Sequence, residues 1–163
     1  MQTDDARAIA AHGHRVALND FSRADAFAAL LIKRKWFGPV FAGVSAREVQ
    51  QLALCTAFVV TYARPFSDND RWKFRLKRGG LDAAQRALHG RLVDLRNEVF
   101  AHSDAKHHDY RVHESGSLTF GIITRPAMHL DEDTLTQARS LLQHLKKVAW
   151  SRLEASGAFG ALR

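Results

Sequence analysis

The chain has 163 residues, 24 Lys and Arg against 17 Asp and Glu, a formal charge of +7 and a single cysteine. That length suits one domain with its own core, read here as a single helical domain over 1–163. Lone Cys55 excludes an internal disulfide framework or a cysteine-based zinc ribbon, and the basic balance points to an anionic partner, nucleic acid first.

The chain opens Met1-Gln2-Thr3-Asp4-Asp5, acidic where a secretion signal is basic, and its longest apolar run, Ala26 to Ile32, is too short for a bilayer. The expectation is a cytoplasmic protein with no membrane partner. From about Asp4 to Lys33 the sequence is rich in Ala, Leu and Arg. Ile9, Val16, Ala24, Phe27 and Leu31 recur at roughly helical spacing, which predicts a first helix with an interruption near Gly13. Trp36 to Gly43 carries the breakers and aromatics of a packed loop. Ser45 and Glu48 form a capping box for a second, central helix that is apolar on nearly all sides from Val49 to Tyr62. Arg64 precedes Pro65, which disfavours helical backbone and ends the element.

Between Ser67 and Gly80 basic and apolar residues alternate through Arg71-Trp72-Lys73-Phe74-Arg75-Leu76-Lys77-Arg78. A third helix starts at Leu81-Asp82-Ala83-Ala84-Gln85 in capping-box style, with Ala84, Leu88, Leu92, Leu95 and Val99 on one stripe. Tyr110 to His113 and Leu118 to Ile123 flank Glu114-Ser115-Gly116-Ser117 and read as a small β-hairpin, which must lie against helices to be stable. The last helix runs from Asp131 to about Glu154 with Leu135, Ala138, Leu142, Leu145 and Val148 inward, and a frayed tail from Ala155. The expected fold is all-α: a four-helix up-and-down-type bundle with a small β-hairpin inserted before the last helix.

Leu95-Arg96-Asn97-Glu98-Val99-Phe100-Ala101-His102-Ser103-Asp104 closes the third helix and concentrates an arginine, an amide and a histidine. Arginine offers a permanently charged planar fork to phosphate oxygens, and histidine titrates near neutrality, a pairing suited to phosphodiester chemistry without a metal. Arg96 and His102 are six positions apart, so they share a side only if the helix ends or bulges near Ala101. His89, seven residues before Arg96, falls on nearly the same face as a second basic group. The bland alternative is that Arg96 pairs with an acid, Asn97 caps the helix and His102 is a polar residue at its end.

This stretch resembles the defining motif of the HEPN superfamily, in which an arginine, usually followed by a polar residue, precedes a histidine by four to six positions; here five intervene. Ala63-Arg64-Pro65-Phe66 after the second helix and Leu88-His89 upstream of the motif are also similar to related bacterial proteins. The similarity spans helices two to four. It implies a metal-independent endoribonuclease, often a toxin of toxin–antitoxin or defence systems. Arg96 would hold the scissile phosphate, Asn97 would orient substrate and His102 would exchange protons with the 2′-hydroxyl or the departing 5′-oxygen. It also implies a homodimer whose motifs form one composite active site, with RNA as substrate, no cofactor and an antitoxin or inhibitor protein as partner. Asp104 stands where a subset of these toxins carries a tyrosine modified with AMP, so that regulation is not implied.

Arg64 reads equally as a further phosphate contact or as a cap or partner of Asp68 or Asp70. Arg71, Lys73, Arg75 and Lys77 are candidate RNA contacts, with Trp72 and Phe74 for stacking; the alternative buries the apolar side and solvates the charges. His107, His108 and His113 lack a metal-ligand spacing, so no metal site is assigned. Cys55 and Trp150 read as packing residues. Two other classes compete with the enzyme: a non-catalytic HEPN-like module binding RNA, nucleotide or protein, and a helical interaction protein.

Overall fold

The computed structural model describes residues 2–40, 45–67, 74–77, 79–101, 110–115, 118–123 and 128–157. It is all-α in character, with four helices among these residues: α1 (Gln2–Arg34), α2 (Ala46–Ala63), α3 (Ala83–Ala101) and α4 (Glu132–Ala155). The α1 helix, 33 residues long, is a rod of about 50 Å that packs against both α2 and α4; α3 lies chiefly along α2.

The helix starts follow from local side-chain chemistry. At α2 the Ser45 hydroxyl accepts from the Glu48 N–H and the Glu48 carboxylate accepts from the Ser45 N–H, so two of the helix's unsatisfied donors are met. Asp82 and Gln85 exchange the same pair of bonds ahead of α3. Asp131 accepts from the Thr134 N–H at 2.7 Å to start α4.

The core is built from Phe21, Leu31, Phe58, Tyr62, Leu92, Leu135, Leu141, Leu142 and Leu145, all fully buried or nearly so. Along α1 the inward stripe is Ala17, Phe21, Ala24, Ala28 and Leu31. Of the apolar residues recurring at helical spacing, Ala24 and Leu31 are buried and Phe27 half-buried, while Ile9 and Val16 are 39% and 41% exposed. The inward stripe alternates small and large side chains, alanines with Phe21 and Leu31, along the length that packs against α2 and α4. The α4 stripe is as expected for Leu135, Ala138, Leu142 and Leu145, with Val148 half-buried; Trp150, expected to pack, is 47% exposed.

Nor is α1 interrupted at Gly13. The glycine is buried in an unbroken helix, and a Cβ built there would clash with the Phe74 ring. Its place reflects close approach of a neighbouring segment, with no break in the helix. Of the expected stripe on α3, Leu92 is buried, Leu88 and Leu95 are half-buried and Ala84 is exposed; Val99 lies outside the residues whose side chains are described.

Three-residue strands join the segment after α1 to the segment before α4: β1 (Gly38–Val40) pairs antiparallel with β4 (Met128–Leu130), Gly38 opposite Leu130. This segment was expected as a loop, and its partner is too distant in sequence for periodicity to reveal. Backbone pairing also joins β2 (Tyr110–Ser115) and β3 (Leu118–Ile123), Tyr110 opposite Ile123. The expected frayed tail falls mostly on 158–163, outside the described residues; helix α4 itself extends to Ala155. Among the described residues no helix is long and apolar enough to cross a membrane.

Candidate functional site

The site is organised by the turn that follows α2. The α-helix stops at Ala63, but Arg64 keeps helical angles despite preceding proline, and Arg64–Phe66 forms one 3-10 turn. Proline at the first or second position of such a turn loses no hydrogen bond, because that N–H has no partner there in any case. Phe66 is driven inward, 4% exposed, against a cluster of rings: Phe21 at 5.8 Å, Tyr62 at 5.9 Å and the edge of His89 at 4.5 Å between centroids.

Residues 74–77 run past this turn and are fastened to it. The Leu76 N–H donates to the Pro65 carbonyl at 2.8 Å, and the Leu76 side chain is 2% exposed. Phe74 is half-buried, its ring over Gly13 and edge-on to His14 at 5.0 Å. Arg75 and Lys77, between and after them, project to the surface. For this part of the basic segment the apolar side is buried and the basic side chains are exposed. Phe74 is therefore packed into the protein, and no stacking platform forms from it.

With the segment so anchored, Arg75 reaches a cleft of about 280 Å³ whose walls include Phe66, Ser67, Val93, Arg96 and Asn97. Two guanidinium-bearing side chains and an amide thus face one concavity. Arg96 is oriented within it by its neighbour: Nη1 donates to the Asn97 Oδ1 at 3.1 Å. Arginine pairs in a water-accessible cleft suit a phosphate group, because the planar fork binds oxygens two at a time and carries its charge at any working pH.

Other expected site residues are placed differently. His89 is 1% exposed and stands behind the cleft wall, where its Nδ1 and the Tyr62 hydroxyl lie 2.9 Å apart. The α3 face that carries it turns toward α2, so His89 supports Phe66 and the turn and does not reach the surface as a substrate contact. Arg64 does not line this cleft. Its guanidinium crosses to Asp20 of α1, with 3.1 Å between Nη1 and Oδ1. Asp68 and Asp70, its expected partners, lie outside the described residues, as do Arg71, Lys73, His102, His107 and His108. Lys77 is exposed, and its carbonyl accepts from Arg152 at 3.4 Å.

Electrostatics separates the remaining titratable groups. Burial pushes the Asp20 carboxyl above the usual carboxylate range, against the opposing pull of Arg64 and Arg23. His14 is held below its ordinary value, first by burial and then by the charge of Arg152. Cys55 is 1% exposed and burial raises its thiol to about 12, which makes it an inert core residue. Among the described residues no group of three His, Cys, Asp or Glu side chains is gathered as a metal site would need.

Sequence reasoning missed Phe66, Ser67 and Val93 as parts of the cleft, and it missed Asp20 altogether. A signal for Asp20 existed: it is an acid among Ala17, Phe21 and Ala24 on a stripe that is otherwise apolar. No family model, curated protein or solved structure matches the chain, so its chemistry rests on these side chains alone.

Proposed function

We propose that the protein is a HEPN-like, metal-independent endoribonuclease. The single observation that supports this reading best is the convergence of Arg75, Arg96 and Asn97 on one cleft, with Asn97 holding the Arg96 guanidinium. In this reading the two arginines hold the scissile phosphate and offset the charge that builds on its oxygens in the transition state. Asn97 fixes Arg96 and offers its amide to the sugar. His102, the residue that follows the end of α3, takes the proton from the ribose 2′-hydroxyl or returns one to the departing 5′-oxygen. The products are a 2′,3′-cyclic phosphate and a free 5′-hydroxyl.

Such a transfer uses both an acid and a base, and one motif histidine per chain is half of that requirement. A two-fold homodimer supplies both, and two-fold pairing is the commonest closed assembly. The scaffold of this reading is a four-helix up-and-down-type bundle with the β-hairpin inserted before α4. Its biological role is that of a toxin or defence nuclease acting on RNA in the cytoplasm and restrained by an inhibitor protein.

Purified protein incubated with RNA in EDTA tests the proposal. Cleavage should survive chelation, spare DNA and fall by at least about 100-fold in Arg96→Ala, the scale of losing one transition-state charge contact. His102→Ala should fall as far, with both variants still folded by circular dichroism. RNA binding without cleavage, weakened in Arg96→Ala, would replace the enzyme with a non-catalytic binding module. Neither binding nor cleavage by folded protein would leave the helical interaction protein.

A further inference from the structure

The turn after α2 gives one side chain of the cleft a fixed chemical role. In a continued α-helix the Ala63 carbonyl would accept from the Ser67 N–H, but the chain tightens into the 3-10 turn and that N–H donates to the Arg64 carbonyl at 3.1 Å. The Ser67 hydroxyl takes its place and donates to the Ala63 carbonyl at 3.1 Å. A carbonyl can only accept, so the one hydroxyl proton is committed to it and the lone pairs of Ser67 Oγ remain as acceptors. Among the described residues no donor meets them.

The same logic orients Asn97. A guanidinium can only donate, so the amide turns Oδ1 to Arg96 and keeps its Nδ2 hydrogens as donors. Arg75, Arg96 and Asn97 thus enter the cleft as donors, and Ser67, half-buried on its wall, is the acceptor among the described side chains that line it.

Such a set selects a ligand that accepts at several points and donates at one beside them. The oxygens of a phosphodiester only accept, which suits the three donors. The single donation has to come from a group adjacent to the phosphate. In RNA a phosphate on O3′ has a 2′-hydroxyl on the neighbouring carbon, where DNA has a hydrogen, and that hydroxyl is a donor as well as an acceptor. We propose that Ser67 Oγ accepts a hydrogen bond from the ribose 2′-hydroxyl beside the phosphate held by Arg75, Arg96 and Asn97, which makes Ser67 the residue that distinguishes a ribonucleotide from a deoxyribonucleotide. The contact belongs to the bound ground state; rotation about the C2′–O bond then turns the proton toward the base. This deepens the ribonuclease reading, on which its phosphate half rests.

Chemical-shift titration of the full chain with uridine 3′-monophosphate and with its 2′-fluoro analogue tests the assignment, because fluorine keeps a substituent at C2′ and cannot donate. The ribonucleotide should bind wild type about fivefold more tightly, the scale of one neutral hydrogen bond. Folded Ser67→Ala should bind the two equally and hold its affinity for the fluoro ligand within about twofold of wild type, since the lost bond is absent from that complex. Ser67→Cys, whose thiol is a weak acceptor of nearly the same shape, should do the same and serves if the alanine variant does not fold. Ser67→Thr should keep the preference. Arg96→Ala should weaken both ligands by the same factor. Equal binding of the two ligands to wild type, or a preference that persists in folded Ser67→Ala or Ser67→Cys, would confine the serine to closing the end of α2 and overturn the assignment, with the phosphate cleft left standing. Failure of both ligands to bind folded wild-type protein would overturn the cleft as well.

Discussion

Asp20 and Asp25 sit five residues apart on α1 and are treated in opposite ways. Asp25 faces α4, where Arg139 donates at 2.7 Å, Gln143 at 2.9 Å and Lys146 at 3.1 Å. Burial pushes its carboxyl up, but these hydrogen bonds and charges together outweigh burial and hold it below the ordinary range. Asp20 faces the turn after α2, is more deeply buried, and among the described residues is hydrogen-bonded by Arg64; burial outweighs the pull of Arg64 and Arg23, so its carboxyl is raised. The two oxygens of the Asp25 carboxylate are both met by donors from α4, whereas among the described residues the buried Asp20 Oδ2 has no hydrogen-bond partner.

The largest test of this contrast is at the turn itself. Phe66→Ala should cost about 3–5 kcal/mol in chemical denaturation, as for other buried aromatics, since the ring anchors Phe21, Tyr62 and His89 together. It should also lower Arg96-dependent RNA binding, because Phe66 is a wall of the cleft. An equal loss of stability with the cleft unaffected would separate the turn from the site.

Asp25→Asn should cost about 2 kcal/mol at neutral pH, since three donors lose a charged acceptor. The pH dependence follows from the lowered carboxyl: the wild-type advantage is present above about pH 4 and disappears as pH falls through Asp25's own lower value. For Asp20→Asn the sign reverses. Arg64 is 55% exposed and stays solvated without its partner, so stability at neutral pH should be unchanged or raised, within about 1 kcal/mol. Because the Asp20 carboxyl is raised, wild type compares best below about pH 4 and falls behind the variant as pH rises through the raised value. Parallel pH profiles for the two variants would contradict the contrast.

Two glycines sharpen the same comparison. Gly13→Ala drives a methyl group into the Phe74 ring and should destabilise by about 1–2 kcal/mol, overpacking exceeding the gain in helix propensity. Gly90 in α3 has open space around it and no positive φ, so Gly90→Ala should stabilise by up to about 1 kcal/mol. Thermal midpoints that move the same way would show that Gly13 is not a seat for Phe74.

Much of the helical order was legible in the chain. Ser45 with Glu48, Asp82 with Gln85 and Asp131 mark the helix starts by local chemistry, and the leucines of α4 repeat with an unambiguous period. The α1 stripe was harder because alanines, not Ile9 or Val16, face the core, and hydropathy weights size where packing weights fit. In the cleft, Arg96 and Asn97 are singled out by residue type together with the motif they resemble, and Arg75 as one of four basic residues of its segment. His89 could not be placed correctly, since a helical wheel gives its face and not what that face meets. Asp20 and Phe66 came from distant positions joined only by the fold.

The most direct measurement of the central claim is the end group left on RNA digested by the wild-type protein in excess EDTA, read by phosphorus NMR. The account predicts a 2′,3′-cyclic phosphate signal that is absent with Arg96→Ala. Intact RNA after prolonged incubation with folded protein would contradict it.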